Sequence, residues 1–382
     1  MKKIERLGEY ISEYSVRNKD NEDIQVYSVT NTNGFCTEYF DKDVASKDQT
    51  NYKIVPKGYF AYNPSRINVG SIDCQSVEDR VIVSPLYVVF KADERVDNNY
   101  LLHYLKSDIG KIYINELASG SVRANLKFSI LQEFPFPMIP IEEQKEKMAV
   151  IAKIDESIAC CDSIIEKLAL AVKSRFVEMF GNPDVNENNW ETYKMEQLCD
   201  VGSSKRIYQN EQSRIGIPFL RISDLVNRMD TGSKESDLYI PEDRFEELKK
   251  QGLVPKSGDI LLTARGTLGR CYIIQDDDEF YFQDGMITWL SKYDAKITPL
   301  YISYLFKMPG FRKQIDSLQA GSTVAYLSIS MTKKLDIMLP PIELQNQFAD
   351  FVRAVDKSKL AVQEMKNKME ILKASVMQEY FC

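Results

Sequence analysis

One histidine in 382 residues leaves little room for the chemistry that imidazoles usually carry. His103 sits inside Tyr-Leu-Leu-His-Tyr-Leu, a helical context, and its isolation excludes His-based triads and clustered His metal sites. Cysteine is also sparse. Seven residues, an odd count without a CxxC pair, argue against a disulfide framework or a zinc site, and Cys160 with Cys161 reads as reduced packing material within a helix. No apolar run approaches the roughly 18 residues of a membrane span, and residues 1–14 are charged where a signal peptide needs an apolar stretch. The expectation is a cytoplasmic protein with no membrane contact. An excess of positive charge is missing too: the net charge is -7, with 17 basic against 19 acidic side chains in residues 1–140 and 20 against 23 in residues 181–341. A nucleic-acid surface, which needs clustered Lys and Arg, must therefore come from local segregation of charge.

Catalytic and cofactor motifs fail in turn. Arg265-Gly-Thr-Leu-Gly-Arg270 is glycine-rich but lacks the lysine and following hydroxyl of a P-loop. Asn63-Pro64 begins like the Asn-Pro-Pro-aromatic loop of amino-methyltransferases, yet Ser65 and Arg66 follow, and no glycine-rich cofactor loop precedes it. Pro183-Asp184 has no acidic-x-Lys partner at the spacing of a metal-dependent nuclease. The chain is expected to be non-catalytic, to bind no metal and to hold no cofactor.

What the chain does contain is a tandem repeat. Pro140, Ile141, Glu142 and Gln144 recur as Pro341, Ile342, Glu343 and Gln345, and the same shift of 201 pairs Leu117, Gly120 and Ser121 with Leu318, Gly321 and Ser322. Tyr100, Leu101 and Leu105 answer Tyr301, Ile302 and Phe306. At a shift of 199 to 200, Val55-Pro56-Lys57-Gly58 answers Val254, Pro255, Lys256 and Gly258, and Arg66 answers Arg265. Each copy alternates β-rich runs (24–29 and 81–90; 259–263 and 271–274) with turns, followed by a helical pattern over 98–113 and 299–311. The core framework repeats while loops such as 31–43, 203–216 and 228–237 do not, as expected of one scaffold displaying two recognition surfaces.

A long helix follows each copy, opening after proline with glutamate in its first turn, where the helix dipole favours a carboxylate. In the first, Ile151, Ile154, Ile158, Cys161, Ile165, Leu168, Val172 and Met179 follow coiled-coil spacing; in the second, Phe348, Phe351, Val355, Val362, Met365, Met369, Leu372 and Val376 do. Two such stripes bury each other best by pairing antiparallel. The predicted fold is α+β: two similar domains, residues 1–140 and 183–341, joined by helices over 141–182 and 342–382 as a pseudo-two-fold antiparallel coiled coil. Some 38 helical residues span about 57 Å, the length of about 17 base pairs of duplex.

The candidate DNA-reading residues carry amide, hydroxyl and guanidinium groups in Gly, Ser or Asn contexts, the groups that match base edges and phosphates. In the first domain they are Tyr62, Asn63, Arg66, Asn68, Gly120, Ser121, Arg123 and Asn125. In the second they are Lys205, Arg206, Arg221, Arg265, Thr267, Arg270, Gly321, Ser322 and Thr323.

Taken together, Phe136-Pro-Met-Ile-Pro-Ile-Glu-Glu-Gln144, Ile337-Met-Leu-Pro-Pro-Ile-Glu-Leu-Gln345, Phe176-Val-Glu-Met-Phe-Gly-Asn-Pro183, Asn63-Pro-Ser-Arg-Ile-Asn-Val-Gly-Ser71 and Leu372-Lys-Ala-Ser-Val-Met-Gln-Glu-Tyr-Phe381 resemble the specificity (S) subunit of type I restriction-modification systems over the whole chain. That resemblance implies two target-recognition domains, each reading half of a bipartite site on double-stranded DNA, with the helices as a ruler. It also implies two methyltransferase (M) subunits that use S-adenosylmethionine and, in the restricting complex, two motor nuclease (R) subunits that use ATP and Mg. The S subunit itself is non-catalytic. Two rival readings remain: a coiled-coil protein-protein adaptor without DNA binding, favoured by the acidic charge, and a fused methyltransferase or nuclease, disfavoured by the missing motifs.

Overall fold

The structure is a computed structural model that describes residues 3–37, 48–118, 125–318 and 325–382. The chain divides into two compact units, Met1–Ser163 with Gln363–Cys382, and Ile164–Val362. Each unit thus combines one α+β domain with the start of one long helix and the end of the other.

The repeat is visible strand by strand. In the first unit a four-stranded antiparallel sheet has the order Ile11–Glu13, Val88–Ala92, Phe60–Tyr62, Ile72–Cys74. In the second the order is Asp200–Gly202, Ile287–Ser291, Ile260–Thr263, Cys271–Ile273. Phe60 faces Phe90, and Ile260 faces Leu290. Phe60–Tyr62 and Ile260–Thr263 are buried along their whole length, so they show no alternation of buried and exposed positions. A two-stranded ribbon precedes each long helix, Lys3–Arg6 on Pro135–Met138 and Glu191–Lys194 on Asp336–Leu339. What surrounds this framework differs. The first unit adds the pairs Ser28–Thr30 with Gly34–Cys36 and Lys53–Pro56 with Arg80–Val83. The second adds a three-stranded sheet in which Ile217–Leu220 runs parallel to Tyr281–Phe282.

The helical pattern predicted over 98–113 is two helices, Asn98–Lys106 and Asp108–Ala118, and that over 299–311 splits into Pro299–Leu305 and Pro309–Ser317. In the first copy Ser107 turns extended; its Oγ donates to the Tyr104 carbonyl at 2.6 Å and accepts from Gly110 N at 3.2 Å. In the second, Pro309 lacks an N–H and pushes Met308 into the extended region, which ends one helix and begins the next. The run predicted as one strand over 81–90 likewise breaks at Ser84 to Tyr87 into two.

The repeated glutamine of the Pro-Ile-Glu-x-Gln segments is a buried clamp. Gln144 Nε2 donates to the carbonyls of Ile139 (2.8 Å) and Arg95 (3.0 Å), and its Oε1 accepts from Asp97 N at 2.8 Å. Gln345 repeats the pattern, donating to Pro340 and Lys296 at 2.9 Å each and accepting from Thr298 N at 2.9 Å. Asp97 and Thr298 are the N-caps of Asn98–Lys106 and Pro299–Leu305, so each clamp ties the long helix to its domain at a helix start. Tyr100 and Tyr301 tie the same short helices to the strand that precedes each long helix, donating to the carbonyls of Pro137 (2.9 Å) and Met338 (2.8 Å).

The long helices are Ile141–Phe180 and Ile342–Phe381, 40 residues each. They pair antiparallel in both units. In the first, Lys373 and Lys366 reach Asp155 and Asp162, each at 2.6 Å. In the second, Phe176 and Phe180 pack edge-on against Phe348, and Arg175 lies over the Phe351 ring. Both ends enter domain cores: Phe381 lies against Tyr100 and Tyr104, as Phe176 and Phe180 lie against Tyr301.

Of the predicted seam, Ile151, Ile154, Cys161 and Val172 are buried; Ile158, Ile165, Leu168, Phe351, Val355, Val362 and Met369 are half-buried. Met365 and Leu372 are a correction, because both are exposed, at 54% and 46%. The positions one residue later, Lys366 and Lys373, face the partner helix instead, laying their aliphatic stems along it and pairing at the tip. Cys160 is exposed and only Cys161 of that pair packs; all seven cysteines are free thiols. Among the described residues no helix is long and apolar enough to cross a membrane.

Candidate nucleic-acid interface

Strand direction brings the candidates of the second unit to one end of its sheets. Asp200–Gly202 and Ile260–Thr263 both leave the four-stranded sheet where Ile287–Ser291 enters it, which groups residues 203–206, 264–270 and 283–286. Ile217–Leu220, parallel to Tyr281–Phe282, delivers Arg221 to the same end, and Gln283 N donates to the Leu220 carbonyl at 2.9 Å. Lys205, Arg206, Arg221, Arg265, Thr267 and Arg270 therefore share one loop cluster.

Backbone bonds fix that cluster. Leu327 N donates to the Ala264 carbonyl and Ala264 N to the Met286 carbonyl, both at 2.9 Å. Thr263 Oγ1 donates to the Thr267 carbonyl at 2.5 Å and accepts from Arg270 N at 2.9 Å, closing the Arg265–Arg270 turn. Gly269 has φ +73 there, and a Cβ would press at 3.2 Å on Ile315 and Phe306, so glycine is required.

Three of the arginines are held by aspartates. Arg206 Nε donates to Asp284 Oδ2 at 2.9 Å. Arg221 Nε donates to Asp224 Oδ2 at 3.0 Å, and its Nη2 contacts Asp224 and Asp237. Arg270 makes a two-pronged pair with Asp230, whose hydrogen bonds hold that carboxylate below its ordinary pKa. Arg265 instead lies over the Tyr326 ring, 5.1 Å from its centroid. Lys205 and Thr267 are exposed. Local pairing neutralises much of the positive charge, and a phosphate or base must compete with the aspartates for it.

The first unit builds the equivalent corner with different residues. Leu126 N donates to the Pro64 carbonyl at 3.0 Å, the counterpart of the Leu327–Ala264 bond. This bond and the sheet register set the shift at 200, so Arg265 corresponds to Ser65; the sequence pairing of Arg66 with Arg265 is one residue out. Asn63 Oδ1 accepts from Ser65 N (3.1 Å) and Oγ (2.9 Å), while Arg66, Asn68 and Asn125 are exposed. Tyr62 is a correction. It is fully buried, donates to the Leu126 carbonyl at 3.0 Å and belongs to the core that supports the loop, where burial raises its pKa. Gly120, Ser121, Arg123, Gly321, Ser322 and Thr323 lie outside the described residues.

Sequence reasoning missed Ser203, Ser204, Asp230, Asp284 and Tyr326. Asp284-Gly285 is a turn signal that could have marked its loop, but nothing local pairs it with Arg206. Among the described residues no group of three His, Cys, Asp or Glu could hold a metal ion. Burial pushes the Cys74 and Cys199 thiols up to about 12, away from nucleophilic thiolate character.

A family model for the type I restriction modification DNA specificity domain matches residues 3–170 and again 187–373. The chain belongs to the type I restriction-modification DNA specificity family. Within that family, a Haemophilus influenzae protein assigned as a type I restriction enzyme specificity subunit is 30% identical over 275 residues, 69% of this chain and 66% of that protein. The MjaVIII specificity subunit of Methanocaldococcus jannaschii is 23% identical over 78% of this chain and 72% of its own length. The EcoKI specificity subunit of Escherichia coli is 24% identical over 70% and 60%. The chain thus spans about two thirds of the length of these relatives. Solved structures repeat the specificity-subunit fold. A chain from a study of complex assembly and conformational transition of the type I restriction-modification system superposes with a TM-score of 0.64 at 15% identity, covering 99% of this chain and 97% of that one. The crystal structure of a type I restriction-modification system S subunit from M. genitalium gives 0.54 at 13% identity, covering 100% and 96%.

Proposed function

We propose that this chain is the DNA sequence-specificity subunit of a type I restriction-modification complex, with each α+β domain reading half of a bipartite site. The observation that carries this reading is the paired corner. The same backbone bond pins the same loop in both units, while the side chains displayed there differ, which is what two half-sites of different sequence require. The paired helices set the unspecified gap. Exposed apolar residues along them, including Leu170 and Val177 on the first and Leu360 and Ile371 on the second, support docking of two methyltransferase subunits. Methyl transfer with S-adenosylmethionine, and ATP- and Mg-dependent cleavage where two nuclease subunits join, then belong to the partners and not to this chain.

Salt titration of duplex binding by the assembled methyltransferase tests this against the adaptor reading. A DNA reader that neutralises several phosphates loses affinity steeply, with a log–log slope of about -0.9 per phosphate. Absent or salt-indifferent binding would favour the adaptor.

A further inference from the structure

We propose that Arg206 reads a guanine in the half-site taken by the second domain, and that Asp284 is the positioning residue that aims it. This rests on the DNA-specificity reading and names a base and a residue pair within it. The major-groove edge of guanine offers two acceptors, O6 and N7, which an arginine meets with two donors in a fixed fork. Arg206 is set for this contact. Its Nε is spent on Asp284 at 2.9 Å, and its Nη1 and Nη2 carry no partner among the described residues. The arginine side chain is 64% exposed and the aspartate 22%, so a half-sheltered anchor holds an exposed fork.

None of its neighbours combines a carboxylate anchor on Nε with a free pair of Nη groups. Asp230 occupies both Nη groups of Arg270, Asp224 and Asp237 engage the Nε and Nη2 of Arg221, and Arg265 stacks on Tyr326.

The backbone beneath Arg206 is unusually well tied for a loop. Ser203 Oγ donates to the Ile287 carbonyl at 3.2 Å and accepts from Gly285 N at 3.3 Å. Ser204 Oγ donates to the Phe282 carbonyl at 2.7 Å, and Lys205 N to the Tyr281 hydroxyl at 2.8 Å. With the Arg206–Asp284 bond, four consecutive residues are each fastened to the 281–287 segment. A contact that must discriminate one base by position needs such preorganisation, whereas a phosphate contact tolerates a looser lysine or arginine.

The test replaces the gene in its own cells by Arg206→Ala, Arg206→Gln or Asp284→Asn and maps methylated sites at base resolution. The expected result is degeneracy at one G·C pair of one half-site in both Arg206 variants, with discrimination there falling by roughly 5- to 150-fold and all other positions kept. Asp284→Asn should relax the same position to a smaller extent. Should the alanine variant not assemble, the glutamine variant decides, because it keeps length and hydrogen-bonding capacity but its amide matches adenine and not guanine. A parental motif preserved in the Arg206 variants, or one weakened evenly at every position, overturns the assignment while leaving the DNA-specificity reading intact. The absence of any split motif in the parent overturns both.

Discussion

Replacing Gln345 with alanine should destabilise the second unit far more than its solvent-facing neighbours would suggest. Gln345 is 1% exposed, and its amide satisfies three backbone groups: Thr298 N–H and the carbonyls of Lys296 and Pro340. Alanine leaves all three without that partner at a helix start. An unsatisfied buried polar group costs about 1–3 kcal/mol, so three groups, partly relieved by water entering the space, should cost about 3–5 kcal/mol. Native-state hydrogen exchange on the full chain is the suitable assay, because two units need not unfold in one step. Protection should fall in Pro299–Leu305 and in the strands packed on it, while the first unit keeps its protection. Gln144→Ala should do the reverse. Gln345→Glu adds a pH signature: a buried carboxylate, expected to have a raised pKa, is worst when ionised, so its deficit should shrink as pH falls through that pKa. A loss below about 1 kcal/mol in the alanine variant would refute the clamp.

Other outcomes follow from the helices and from the lone histidine. Ile371→Glu, at a position 70% exposed, should weaken capture of the methyltransferase subunit in co-purification while leaving the thermal midpoint unchanged; equal capture removes that face from the docking surface. Inserting seven residues at matched positions in both long helices should lengthen the gap between half-sites by about three base pairs, since it adds about 10.5 Å of helix. An unchanged gap contradicts the ruler. Burial lowers the His103 pKa below 6.5, with Lys373 and Lys106 acting in the same direction and the hydrogen bond to the Asn99 carbonyl and Asp155 opposing. The folded state then takes up its proton later than the unfolded state, so the His103 contribution is complete above 6.5 and is lost as pH falls through the lowered pKa. His103→Gln should flatten the acid limb of the first unit's stability; an unchanged limb refutes this.

The repeat, the proline-led helix starts and the antiparallel pairing were legible because each rests on local composition or on a period. The Gln144 and Gln345 clamps were not. Their motif marks the helix start, but two of the three backbone partners of each lie 47 and 49 residues upstream, and only the fold brings those groups around the amide. The phase of the second helix escaped for a different reason. Apolar spacing cannot distinguish a stripe that meets the other helix from one left for another partner, and Lys366 and Lys373 bury their stems where Met365 and Leu372 were expected. Tyr62 carries a hydroxyl beside Asn63 and Arg66 and so joins the candidate DNA-reading residues by residue type, yet the strand it ends is buried to its last residue. The basic loops were found by residue type. Their electrostatics were hidden, since Asp230 and Asp284 stand 40 and 78 residues from the arginines they hold.

The most direct measurement is a base-resolution methylome of cells with this gene intact and deleted. A split motif with a fixed unspecified gap, present with the gene and absent without it, is the expected result. A chain-dependent motif that is continuous, or identical methylation in an actively methylating strain after deletion, would contradict two domains reading two half-sites.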